Sequence, residues 1–147
     1  MVTIHTVCSL LSYVAFLVAF VAGALFLIQE HQLKHKRMGL LFHRLPALGT
    51  LDRINFVAIG TGFGLLSLGV FFGLWGSRVL LGTWWHGDPK ELLTMMLWAS
   101  YLLLWLVRLR ATLRGRKVAL LSILGFTLVL FTFLGVSRWL PTWHAYL

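Results

Sequence analysis

The chain has 147 residues, 59% hydrophobic and only 12% charged, with a mean hydropathy of +0.87. A soluble domain carries about 25% charged residues, so composition excludes one of this size and points to an all-α integral membrane protein. The net charge of +9 does not signal nucleic acid, because the basic residues flank apolar runs and no soluble domain is left to form a groove; the single cysteine, Cys8, excludes an intramolecular disulfide and a cysteine-based zinc or iron–sulfur site.

The N-terminal apolar run is longer than that of a cleaved signal peptide. It has no basic region before it and no small-x-small cleavage site, so it is expected to stay as a helix. A helix needs ~20 mostly apolar residues to cross a bilayer. The first expected span covers about residues 5–29 and carries His5, Ser9 and Ser12 at i, i+4 and i+7, with Tyr13 just beyond. Such a polar stripe faces protein or a cavity, not lipid; interhelical hydrogen bonding and a ligand pocket account for it equally. The second span, about 54–75, is rich in glycine, and Gly60/Gly64 and Gly69/Gly73 have the small-xxx-small spacing of closely packed helices. Tight packing is the first reading of these glycines; room for a flat ligand against a thin helix is the second. The third and fourth spans cover about 91–107 and 118–139, giving one four-helix domain over 1–147. Irregular backbone cannot face lipid, so each span is expected to be helical.

The loops set the orientation. Lys34, Lys36, Arg37, Arg44 and Arg53 follow the first span, and Arg108, Arg110, Arg114, Arg116 and Lys117 follow the third. The opposite side has only Arg78, Lys90 and Arg138, so the positive-inside rule places both termini, and the loop GTWWHGDPKE between spans two and three, on the outer (periplasmic) side.

That loop reads in two ways. Asp88, Pro89, Lys90 and Glu91 form a helix start: an acidic N-cap, proline at the first helical position and Glu at the third. Trp84 and Trp85 suit interfacial anchors. Yet Trp75, Trp139, Trp143 and Tyr146 also fall on the outer side, and together these rings would stack on a flat apolar ligand whose carboxylates meet Arg78, Lys90 or Arg138. Of the six histidines, His31, His35 and His43 lie inside and His5, His86 and His144 outside. A lone histidine at a helix end is usually a polar end group. His5 and His144, flanking one tryptophan-rich loop on one face, could instead supply the two imidazoles of a bis-histidine haem if their helices are neighbours. His31 and His35 at i, i+4 are a weaker metal pair, read first as a solvated basic helix end; the Glu precedes the first His, so this is not the zinc protease motif. No Ser/His/Asp set or glycine-rich phosphate loop marks a hydrolase.

These residues together resemble the haem-handling cytochrome c assembly membrane proteins of the CcsA, CcmC and HemX type, defined by a periplasmic tryptophan-rich "WWD" motif ending in Asp-Pro-Lys-Glu. Gly82, Trp85, Asp88, Pro89, Lys90 and Glu91 match the motif, while Leu81 and Gly87 stand where it usually has tryptophan and Trp84 and His86 fall at variable positions. HTVCSLLSYVAFLVAF looks like the family's histidine-bearing helix, with Tyr13 eight residues after His5; RLPALGTLDRINF and GFTLVLFTFLGV look like family segments; and WHAYL sits at the family's C-terminal His-x-Tyr. The resemblance implies that His5 and His144 are axial ligands of a haem b held against the loop. Family members usually have six or more spans, so the four here look like the C-terminal haem-site core. With no mid-membrane histidine and no Cys-x-x-Cys, the likeness does not extend to a transmembrane haem channel or to autonomous cytochrome c synthesis.

Three functions follow as expectations. The first is a haem-binding protein of the bacterial inner membrane that presents haem outside for c-type cytochrome maturation, with apocytochrome c and other membrane subunits as partners besides lipid. The second is an accessory subunit of a larger membrane complex that keeps the fold with or without haem. The third is a b-type electron-transfer anchor working with quinone.

Overall fold

A computed structural model describes residues 2–36, 39, 43–84, 87–110, 115–131 and 134. Four helices follow one another: α1 (Val2–Lys34), α2 (Leu48–Leu81), α3 (Pro89–Leu109) and α4 (Arg116–Leu130). There is no strand among the described residues. The first three helices are long and apolar enough to cross a membrane. The expected fourth span, 118–139, is described as the 15-residue helix α4 together with residues 131 and 134.

The first three helices contain the expected spans and overrun them. α1 continues past Gln29 to Lys34, beyond its apolar run, where Glu30 and Lys34 pair at 3.0 Å across one turn and the His31 and His35 rings stack at 4.2 Å. α2 starts six residues earlier than expected, at Leu48 instead of Ile54, and runs six further, to Leu81 instead of Trp75. It stops where Gly82 takes a left-handed conformation (φ 77°) and its N–H bonds the Arg78 carbonyl at 3.1 Å. α3 starts as its sequence dictates: Asp88 accepts from the Lys90 N–H at 3.0 Å, with Pro89 at the first helical position and Glu91 in the first turn.

α1 lies antiparallel against α2, and glycine makes the approach possible. A methyl at Gly62 would stand 2.5 Å from the Phe16 ring, one at Gly69 2.8 Å from Ser9 Oγ, and one at Gly73 2.7 Å from His5 Nδ1. Tight packing is therefore what this glycine face does. Gly64 looks the other way, with nothing within 4 Å, and Gly60 receives Trp105 of α3. On α1 the next layer is aromatic: Phe16 stacks on Tyr101 of α3 at 3.6 Å and Phe20 meets Phe126 of α4 at 5.0 Å, all four rings in or against the core.

Two polar clusters tie the bundle at the end away from the tryptophan loop. Asn55 of α2 donates to the Ala19 carbonyl of α1 at 2.7 Å and to Ser122 Oγ of α4 at 3.0 Å, so one amide bridges three helices. Arg108 of α3 reaches Asp52 of α2, with Nη1 donating to Oδ1 at 3.0 Å and Nη2 to Oδ2 at 2.8 Å, while Nη2 also meets the Asp52 carbonyl at 2.9 Å. The guanidinium covers the Phe56 ring at 5.2 Å. Arg108 was expected as a loop charge that only sets topology; it is instead a buried ion-pair partner inside α3, because the helix extends to Leu109 and brings that position opposite the start of α2.

Candidate functional site

His5 sits one turn into α1, with its ring against the bare backbone of α2. Its Nδ1 lies 2.7 Å from the Gly69 carbonyl oxygen. A carbonyl only accepts, so Nδ1 carries the proton. In the neutral ring this leaves Nε2 as the lone-pair nitrogen, and Nε2 has no hydrogen-bond partner among the described residues. This is how metal-binding histidines are commonly held: one nitrogen donates to a carbonyl, which fixes the tautomer and the ring plane, and the other faces the metal. The polar stripe of α1 divides accordingly. His5 bonds across to α2, Ser9 Oγ packs on Gly69, and Ser12, fully buried, donates back to the Ser9 carbonyl at 2.7 Å.

His5 is expected where the first span opens, at the same membrane depth as His144, which lies outside the described residues. α2 continues eight residues beyond Gly73 to Leu81, which at about 1.5 Å per residue is ~12 Å of helix. His5, one turn into α1 and partly buried, therefore packs beside α2 short of that helix's loop end. Residues 76–81 stay helical because Gly76 is buried in the packing and the Arg78 guanidinium donates to the Gly82 carbonyl, tying down the helix end.

Two glycines with positive φ bracket the tryptophan loop, Gly82 at 77° and Gly87 at 71°. Between them Ser77 Oγ donates to the Thr83 carbonyl at 2.9 Å, and the Trp84 side chain is 57% exposed. Gly82, Asp88, Pro89 and Glu91 thus have backbone reasons for their identity, while Trp84 presents an open ring. Gly87 occupies a position where the resembled motif usually has tryptophan; any side chain there would pay the left-handed penalty of roughly 1–2 kcal/mol. Lys90 begins α3 beside the loop. Trp75, near the same end of α2, is 42% exposed and meets Phe71 edge-on at 5.7 Å. Trp85, His86, Arg138, Trp139, Trp143, His144 and Tyr146 lie outside the described residues. The structure therefore brings His5 to the loop end of the bundle, and the second expected ligand, His144, falls where nothing is described.

A groove of about 430 Å³ opens elsewhere, between α1 and α2, lined by Ala15, Val18, Ile54 and Val57 with Thr50 and Arg53. It lacks convergent polar groups and is remote from His5. Sequence reasoning missed the Gly69 carbonyl as the partner of His5. The Gly69/Gly73 pair is visible in the sequence as a packing motif or as room for a flat ligand, not as the seat of a histidine.

Four helices, three of them long and apolar enough to cross a membrane, with His5 anchored to the Gly69 carbonyl through Nδ1, define a helical membrane protein. Comparison with known sequences specifies it further: the pattern of the family described as Cytochrome C assembly protein matches residues 1–144, and the chain belongs to that family. The cytochrome c biogenesis protein CcsA of Synechocystis sp. is 37% identical over 106 residues, 70% of this chain and 31% of the relative. The protein of the same name from Guillardia theta is 30% identical over 160 residues, covering 97% of this chain and 52% of the relative. That from Chlamydomonas reinhardtii is 29% identical over 142 residues, covering 97% and 39%. The chain spans about a third to a half of the length of these curated relatives. No solved structure matches it.

Proposed function

We propose that the chain holds haem b at the outer face of a membrane for c-type cytochrome maturation, with His5 Nε2 as one axial ligand and His144 as the other. The observation that carries this reading is the Nδ1–Gly69 hydrogen bond, which leaves His5 with one metal-competent nitrogen in a chain of the cytochrome c assembly family. The donor set suits haem iron, which takes neutral imidazole nitrogen. When bound, haem would supply a redox-active iron, which the His5 and His144 imidazoles would hold. His5 would present Nε2 to the iron, the exposed Trp84 would stack on the porphyrin, and Trp85 is proposed to do the same. Gly82, Asp88, Pro89 and Glu91 hold the loop in place by ending α2 and starting α3, and Lys90 stands ready for a propionate.

The ten basic residues in and beside the two connections at the other end, Arg108 among them although it is paired with Asp52, against three at this one, favour four spans with the loop and both termini outside. The proposed setting is the bacterial cytoplasmic membrane. Other membrane subunits would cover the apolar faces that α1 leaves open at Leu10, Leu11, Val14 and Leu17, and apocytochrome c is the proposed recipient. A second reading, an accessory subunit that keeps the fold without haem, is favoured by the glycine backbone at position 87 where the motif usually has tryptophan.

The test is an absorption spectrum of detergent-purified protein after haem-replete expression, for wild type, His5→Ala and His144→Ala. The haem reading expects a low-spin Soret band in wild type that is lost or shifted in both variants. A wild type without haem sinks it and leaves the accessory-subunit reading. A bound haem that never passes to apocytochrome would instead mark an electron-transfer anchor.

A further inference from the structure

We infer that Gly69 and Gly73 form the positioning device of His5: the Gly69 carbonyl sets the tautomer, and the missing side chain at Gly73 gives the ring its seat. The inference rests on the haem reading for its use, but the device is a property of the haem-free chain.

The geometry is specific to these two positions. In a helix each Cα–Cβ bond tilts toward the N-terminus, so the side chain at i+4 leans back over the carbonyl of residue i. Any residue other than glycine at 73 would therefore lean over the Gly69 carbonyl that His5 uses. The distances agree: a methyl at Gly73 would stand 2.7 Å from His5 Nδ1, 3.0 Å from Cε1 and 3.5 Å from Cγ. All three are atoms of the ring edge that faces α2, and Nε2 is not among them. A carbonyl has two lone pairs, so the Gly69 oxygen can serve the helix and still accept from Nδ1. Gly69 adds the close approach itself, since its own methyl would meet Ser9 Oγ at 2.8 Å and the His5 carbonyl at 3.6 Å, holding α1 away.

The two glycines thus do more than let helices touch. With Gly73→Ala, the imidazole must rotate off α2, which breaks the bond to the carbonyl and frees the proton to sit on either nitrogen. Gly64→Ala is the matched control: it is the same change in the same helix, at a site with nothing within 4 Å.

The experiment uses the full chain in detergent with ¹⁵N-labelled histidine, at about pH 8, where an ordinary imidazole is neutral. The His5 signals, assigned by their loss in His5→Ala, are expected to show a protonated Nδ1 and a bare Nε2 in haem-free wild type and in Gly64→Ala. Gly73→Ala is expected to lose that pattern. Titration with haem is expected to show affinity reduced about 10–100-fold in Gly73→Ala, the usual cost of removing a partner that orients a ligand, and unchanged within about twofold in Gly64→Ala. A wild-type His5 protonated on Nε2 overturns the inference whether or not any variant folds. So does a Gly73→Ala protein with the wild-type proton pattern. If the pattern holds and responds to Gly73→Ala while wild type takes up no haem, the positioning device stands and the haem reading falls.

Discussion

The two ends of α2 are held in opposite ways. At the Asp52 end, a bidentate ion pair and an amide bridge join α2 to the other three helices. At the tryptophan-loop end the described contacts of α1 with α2 are glycine packing and a single ring-to-carbonyl hydrogen bond. Buried polar groups inside a membrane bundle are costly unless paired, and at the first end Asp52 pairs with Arg108 and Asn55 with Ser122. The second leaves Nε2 of His5 without a hydrogen-bond partner among the described residues and the Trp84 ring exposed. The difference suggests a division of labour in which one end holds the bundle together and the other remains available to a ligand.

This comparison breaks if variants at the Asp52 end are harmless to folding or those at the loop end are not. The largest effect is expected for Asp52→Ala. It strands the Arg108 guanidinium, whose side chain is 6% exposed, and should cost about 3 kcal/mol, because breaking one side of a buried pair leaves an uncompensated charge. Thermal unfolding in detergent checks it, and Asp52→Ala combined with Arg108→Met should recover most of the loss. Asn55→Leu comes next. It removes the donor shared by α1 and α4 and should destabilise by about 1–2 kcal/mol without altering any ligand spectrum. The smallest effect on folding belongs to Trp84→Ala: an exposed ring should leave stability within about 0.5 kcal/mol of wild type while weakening haem uptake. A Trp84→Ala protein that melts like Asp52→Ala would show that the loop is part of the scaffold.

The sequence carried a good part of this in advance, and the reasons are local. The Asp88–Glu91 cap depends on residues within one turn of each other, so its chemistry can be read directly and the structure reproduces it. Apolar run length marked where helices lie but not where they stop. α1 and α2 run on past their apolar windows because i,i+4 pairing and a left-handed glycine, not hydropathy, set their ends. The Gly69/Gly73 spacing announced a close approach and could not say what approaches. Pairing His5 with Gly69, Asp52 with Arg108, or Asn55 with Ser122 requires the register of helices 56 to 67 residues apart in the chain, and no local pattern contains that. Arg108 shows the same limit: as a letter it is one more basic residue near a loop, and only the fold makes it an ion-pair partner.

The central claim, that His5 is an axial ligand presented through Nε2, is tested most directly by replacing the side chain and giving the ring back. Haem-replete wild type, His5→Gly and His5→Gly with added imidazole should be compared by absorption spectroscopy in detergent. The account predicts a low-spin Soret band in wild type, its loss or shift in His5→Gly, and its return when free imidazole fills the seat beside Gly73. A His5→Gly spectrum identical to wild type, with or without imidazole, would contradict it.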